Sequence, residues 1–148
     1  YVCDCENHAI REINLNEKTV RTISGTGKKG HDRSGDHDPE VQTLSSPWDI
    51  IAIAPTQLVI AMAGTHQIWI LNTETRRCKV LSGNGTESNF NHPDHLMSSE
   101  WAQPSGLTLG GKSKKEIFVA DSESSAVRAI DAEEFKGSRA VVGGDDNA

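Results

Sequence analysis

Apolar positions fall into short runs that either alternate with polar residues or are apolar throughout, and the runs are rich in β-branched residues. Runs of this kind, stopped by Gly, Pro, Asn or Ser, predict strands. They lie at 48–53, 58–63, 67–72 and 78–82, and again at 106–109, 117–121, 126–131 and 140–142. Four sequential strands joined by short turns form an antiparallel meander. Val59-Ile60-Ala61-Met62-Ala63 and Ile68-Trp69-Ile70-Leu71 are apolar at consecutive positions, so both faces of such a sheet need cover.

The pattern repeats. Residues 1–11 align without gaps on 59–69, a shift of 58, and the same shift carries 23–27 onto 81–85. A third copy, 118–128, lies 59 residues beyond the second, and Ser46-Pro47-Trp48-Asp49-Ile50 matches Gln103-Pro104-Ser105-Gly106-Leu107 at a distance of 57. A period of this size signals a propeller or a solenoid. Sheets covered on both faces by their neighbours are the blades of a β-propeller, whereas a β-sandwich would leave alternate positions polar. The expectation is therefore an all-β, partial propeller of four-stranded blades. It comprises an incomplete blade at 1–30 lacking its opening strand, and full blades at 46–85 and 103–144. Long inter-blade loops at 26–46 and 84–103 join them. Both loops link a fourth strand to the next first strand, on the face that carries the second-to-third strand turns. Repeated insertions on one face mark a binding face.

Val2-Cys3-Asp4-Cys5-Glu6-Asn7-His8-Ala9-Ile10-Arg11 and Pro104-Ser105-Gly106-Leu107 resemble the NHL repeat, whose blades run Pro-x-Gly-hydrophobic and then Val-Ala-Asp-x-x-Asn-His-x-Ile-Arg. The resemblance extends over nearly the whole chain. It is narrowest around Ser46-Pro47-Trp48-Asp49, residues 61–69, 101–107 and 118–125, which are similar to a branch of the family in which a six-bladed propeller follows a thioredoxin-like domain in a soluble intracellular protein. The second copy departs from the motif, with Met62 for Asp and Thr65 for Asn, and the third has Ser124-Ser125 for Asn-His. A residue repeated blade by blade argues for structure over chemistry.

Charge narrows the function. The chain has 148 residues and a formal net charge of −6, with basic clusters only at Lys28-Lys29 and Lys112/Lys114/Lys115. An acidic balance disfavours a phosphate-backbone or anionic-membrane partner. The longest apolar stretch, 50–63, is interrupted at Pro55-Thr56-Gln57 and too short for a membrane span. The opening at Tyr1-Val2-Cys3 shows no targeting signal and suggests a piece of a longer chain. Three cysteines, an odd number, suit a reducing, cytoplasmic setting.

Candidate chemistry is sparse. Cys3-x-Cys5 lies on alternate positions of a predicted strand, but the matching positions are Ala61/Ala63 and Ala120/Ser122, so packing explains the pair. His8 and His66 occupy one equivalent turn and read as hydrogen-bonded turn residues. Gly25-Thr26-Gly27-Lys28-Lys29-Gly30 lacks the Walker spacing and is read as a turn. Asn84-Gly85-Thr86 matches a three-residue glycosylation acceptor and carries little weight. His31, His37, His92 and His95 stand near carboxylates in the long loops without a recognised ligand spacing, so no metal or cofactor is expected. Trp48 and Trp69 sit in strand patterns as inter-blade core, while Trp101 closes a loop and is a surface candidate. The function expected is a non-catalytic protein-interaction scaffold, with His31, His37, Phe90, His92, His95 and Trp101 as possible contact residues in the two loops. The alternatives are an enzymatic six-bladed propeller of the lactonase or lyase type with a central metal ion, and an RNA-binding propeller.

Overall fold

The computed structural model describes residues 1–112 and 116–144; Lys114 and Lys115 of the second basic cluster lie outside the described residues. Among the described residues, eleven strands form three antiparallel sheets. The first contains β1 (Val2–Asp4), β2 (Ala9–Asn14) and β3 (Thr19–Ser24). The second contains β4 (Pro47–Ala54), β5 (Gln57–Met62), β6 (Gln67–Asn72) and β7 (Cys78–Ser82). The third contains β8 (Pro104–Gly110), β9 (Glu116–Asp121), β10 (Ala126–Asp131) and β11 (Ser138–Gly143). Each sheet is a meander in sequence order, as the repeat predicts.

The double-sided apolar runs are split between two cores. Leu58, Ile60 and Met62 of β5 pack with Ile10 and Ile23 of the first sheet, whereas Val59 packs with Ile117, Val119 and Ile130 of the third. Strand alternation therefore sends successive side chains of β5 into two different inter-blade layers, which is why the run reads apolar at consecutive positions. The first strands of the two complete blades lie side by side, with the Leu107 N–H donating to Asp49 Oδ2 across 2.7 Å.

The turns repeat as closely as the strands. A short 3-10 turn joins the second strand to the third in every blade and ends on a left-handed residue: His8, His66 or Ser125. Asn14, Asn72 and Asp131 each accept two backbone N–H groups in the turn that follows, a side-chain mimic of a backbone turn. Gly25, Gly83 and Gly143 leave the fourth strands at positive φ. At Gly25 a Cβ would lie 2.3 Å from the His8 carbonyl oxygen, so a side chain is excluded there.

Two tryptophans exchange the roles expected of them. Trp48 is 43% exposed, because it falls in a β-bulge between Pro47 and Asp49 and leaves the strand alternation. Trp101 is fully buried rather than at the surface. Trp69 is buried as expected. Cys3 and Cys5 do not share a strand face, since β1 stops at Asp4 and Cys5 opens the 3-10 turn. None of the described helices is long and apolar enough to cross a membrane.

Candidate functional site

The two long loops are straps that run from the face of the second-to-third strand turns across the outer edge of the blade they enter. In the first strap, the Asp36 N–H donates to Cys78 O across 2.7 Å and the Val80 N–H donates to Ser34 O across 3.1 Å. In the second, the Ser138 N–H donates to His92 O across 2.9 Å. The first strap thus covers part of the free edge of β7, a position that otherwise invites association, while the second meets β11 only at its Ser138 end, the rest of that strand being exposed.

Local hydrogen bonds shape the first strap. Asp32 accepts from the N–H groups of Ser34 and Gly35, from the Ser34 hydroxyl and from Gln42 Nε2, which is fully buried. Burial alone would raise the Asp32 carboxyl, but the Gln42, Ser34 and Gly35 donors outweigh it and hold it at about 2. His37 Nε2 lies 3.3 Å from Asp32. His31 is exposed.

The second strap is anchored by Arg128 and Trp101. The guanidinium of Arg128 is 1% exposed and donates to Asp121 Oδ2, Asn91 Oδ1, and the carbonyls of Phe90 and Glu100. It also stacks 3.9 Å over the Trp101 ring, whose Nε1–H donates to Ser82 Oγ. Burial pulls the Arg128 guanidinium downward and the Asp121 carboxylate opposes it. Asp121 accepts in addition from the backbone N–H groups of Ala102 and Gln103, so one carboxylate ties the strap's return to the blade. Asp and Arg here are the motif residues of the repeat. In the first blade their counterparts Asp4 and Arg11 form the same pair, about one-third exposed. In the second blade Met62 and Trp69 replace them, both buried, with Leu44 where Trp101 stands in the third. Gln67 then takes over the polar work, donating to Arg33 O and Gly83 O and accepting from Trp69 Nε1–H.

The motif histidines join adjacent blades. The Ser46 N–H donates to His8 Nδ1 across 3.0 Å, and His66 Nδ1 is hydrogen-bonded to the Ala102 carbonyl. His8 therefore acts as an acceptor and His66 as a donor at the same repeat position. Desolvation, with Asp49 and Cys5 adding to it, pushes the Cys3 thiol up to about 12, and burial raises Cys78 as well. These are protonated packing thiols.

On the outer side of the second strap, Phe90 meets His92 edge-on at 6.2 Å and His92 meets His95 at 4.9 Å. His92 Nδ1 accepts from the N–H groups of Asp94 and His95 and fixes this bend. Phe90 is 44% exposed, and Met97, further along the same strap, 50%. Of the residues expected in contact loops, the structure gathers Phe90, His92 and His95, places His31 and His37 on the other strap, and removes Trp101 to the core. Met97 was missed, since nothing in the sequence distinguishes it from the buried Leu96. Among the described residues, no three His, Cys, Asp or Glu side chains converge as a metal site.

No family model matches the chain. It is 46% identical over 146 residues to Protein SUPPRESSOR OF QUENCHING 1, chloroplastic, of Arabidopsis thaliana, covering 98% of this chain and 14% of that protein. It is 41% identical to NHL repeat-containing protein 2 of Gallus gallus and 40% to that of Homo sapiens, in each case covering 88% of this chain and 20% of the relative. The chain thus spans between 14% and 20% of the length of these curated relatives. Among solved structures, a protein of unknown function from Bacteroides thetaiotaomicron superposes with a TM-score of 0.67 at 16% identity, over 97% of this chain and 32% of its own. A chain of a nidogen/laminin complex superposes with a TM-score of 0.54 at 21% identity, over 91% of this chain and 38% of its own. These neighbours are of the propeller type and bear on the fold alone.

Proposed function

Because the chain belongs to the NHL-repeat β-propellers, we propose that it serves as a non-catalytic part of a propeller that captures a protein partner, the straps forming the contact surface. The observation that carries this reading is how the motif residues are used. Asp4 with Arg11, Asp121 with Arg128, and the histidines at 8 and 66 are committed to bonds within and between blades. What faces outward instead is an apolar and aromatic group, Phe90, His92, His95 and Met97, on a strap clamped to a rigid blade. Exposed apolar side chains rimmed by polar ones suit a protein contact. The reading includes a cytoplasmic, reducing setting, which the free thiols of Cys3, Cys5 and Cys78 support, and the thioredoxin-like companion domain that the resemblance implies. The net charge of −6 weighs against nucleic acid as the partner.

Photo-crosslinking side chains placed at Phe90 and Met97 of the natural full-length protein, with Glu74 and Glu133 as controls on the opposite edge, test the proposal. Capture from positions 90 and 97 is expected. Capture confined to positions 74 and 133 would refute the strap assignment, and a turnover activity abolished by Asp121→Asn in a folded protein would refute the non-catalytic reading.

A further inference from the structure

The two straps leave their blades through a repeated triplet, Gly25-Thr26-Gly27 in the first and Gly83-Asn84-Gly85 in the second, and all four glycines have positive φ. The triplets differ in what surrounds them. At Gly27 a Cβ would meet nothing within 4 Å, whereas at Gly85 it would lie 2.7 Å from Arg33 Cδ and 3.0 Å from Arg33 Nε. Asn84, which stands where the first strap has Thr26, is exposed, and its side-chain amide is held at both ends. The Thr86 N–H donates to its Oδ1 across 2.7 Å, and its Nδ2 donates to Glu100 Oε1 across 2.9 Å.

Asn84-Gly85 is the one asparagine–glycine pair in the sequence. Asparagine side chains are chemically labile, and a following glycine lacks the Cβ that hinders attack by the next main-chain nitrogen. Three features of the fold leave that attack open. The bond from Thr86 folds the Asn84 side chain back along its own main chain and polarises its carbonyl. Among the described residues, the Gly85 N–H donates to no acceptor, so its proton is free to leave. The Arg33 side chain lies against Gly85, where its positive charge favours the deprotonated, nucleophilic amide.

We infer that Asn84 is a self-modification site at which the chain slowly converts asparagine to aspartate and isoaspartate, and that the conversion loosens the second strap. The Gly85 nitrogen gives its proton to solvent hydroxide and bonds to Asn84 Cγ. The Cγ–Nδ2 bond breaks, Nδ2 takes a proton from water and leaves as ammonia, and a five-membered succinimide ring remains. Water opens the ring at either carbonyl, giving aspartate or isoaspartate, the second with an added methylene in the main chain. Nothing is oxidised or reduced, and water is the only co-reactant. Asn84 and Glu100 close the neck of the strap, the Asn84 N–H donating to Ser99 O and the Glu100 N–H to Phe90 O. A carboxylate at position 84 replaces the donor to Glu100 with a like charge, so the neck opens beneath Phe90 and His92. Conversion at Asn84 is independent of what the straps bind.

The test incubates the natural full-length protein, folded, in mildly alkaline buffer made with heavy-oxygen water, and maps its peptides by mass spectrometry beside a synthetic peptide of residues 81–88. Asn84 is expected to exchange its amide nitrogen for heavy oxygen, with isoaspartate the larger product, at a rate within about tenfold of the free peptide's, as an exposed segment with little local protection allows. Arg33→Gln should slow the folded protein about fivefold, the effect of removing a nearby unit charge at the dielectric of water. Asn84→Thr, the residue of the first strap, should abolish the signal. In Asn84→Asp the Glu100 amide should exchange about fivefold faster, as the loss of a hydrogen bond at the neck predicts. Conversion of the peptide while Asn84 of the folded protein stays intact would overturn the site, and so would an unchanged rate in Arg33→Gln. Unchanged exchange at Glu100 in Asn84→Asp would overturn the loosening of the strap.

Discussion

The second and third blades hold their straps with opposite chemistry. In the second, Leu44, Met62 and Trp69 make an apolar lock, with Gln67 supplying the hydrogen bonds. In the third, Trp101, Asp121 and Arg128 make a buried ionic lock of the same shape. The aromatic ring has moved from the blade to the strap, and the charge pair stands where methionine and tryptophan stood. Well-packed hydrophobic residues commonly replace a buried ion pair without loss of stability. The comparison teaches that the Asp and Arg of this repeat are one solution to a packing problem, which explains how a blade can lack both and keep its strap.

The largest expected effect comes from breaking one side of either lock. Arg128→Ala leaves Asp121 buried without its cation and should cost about 3 to 5 kcal/mol in urea unfolding, while Trp69→Ala should cost a similar amount through the cavity it leaves. Arg11→Ala, at the same repeat position but in a pair about one-third exposed, should cost no more than about 1 kcal/mol. Equal losses at 11 and 128 would break the comparison.

A smaller effect is expected where the blades are tied to each other. His66→Asn keeps a residue that tolerates the left-handed backbone but removes the bond to the Ala102 carbonyl. A loss of about 1 kcal/mol is expected, with faster hydrogen exchange at residues 99–103. The first strap should also respond to acid. The Asp32 carboxyl is held at about 2, below its ordinary value. Its contribution is present in full above the ordinary carboxylate range and is lost as pH falls toward 2. The Ser34 and Gly35 amides should therefore lose protection in that window, and Asp32→Asn should abolish the pH dependence.

Much of this fold was legible in the residues. The repeat placed the eight strands of the two complete blades within a few residues of their observed bounds, and the consecutive apolar positions of β5 revealed its two covered faces. What escaped was everything that depends on where a polar chain segment lies. The straps carry no hydrophobic periodicity, so their course over β7 and β11 follows from tertiary hydrogen bonds at Ser34, Asp36 and His92. Trp48 and Trp101 were misplaced because a bulge at Pro47 breaks strand alternation and because burial of Trp101 depends on Arg128, distant in sequence. Of the candidate contact residues, the ring group at 90, 92 and 95 was legible by composition, and its geometry was not.

If the two locks are interchangeable, one can be transplanted into the other blade. A variant carrying Trp101→Leu, Asp121→Met, Ala126→Gln and Arg128→Trp gives the third blade the side chains of the second. The Ser138 amide, which reports the strap through its bond to His92, should stay protected, with an unfolding free energy within about 1.5 kcal/mol of the parent, while Arg128→Trp alone releases the strap. If the full transplant exchanges at Ser138 as fast as an exposed loop amide, the ionic lock does something that packing cannot replace, and the account is wrong.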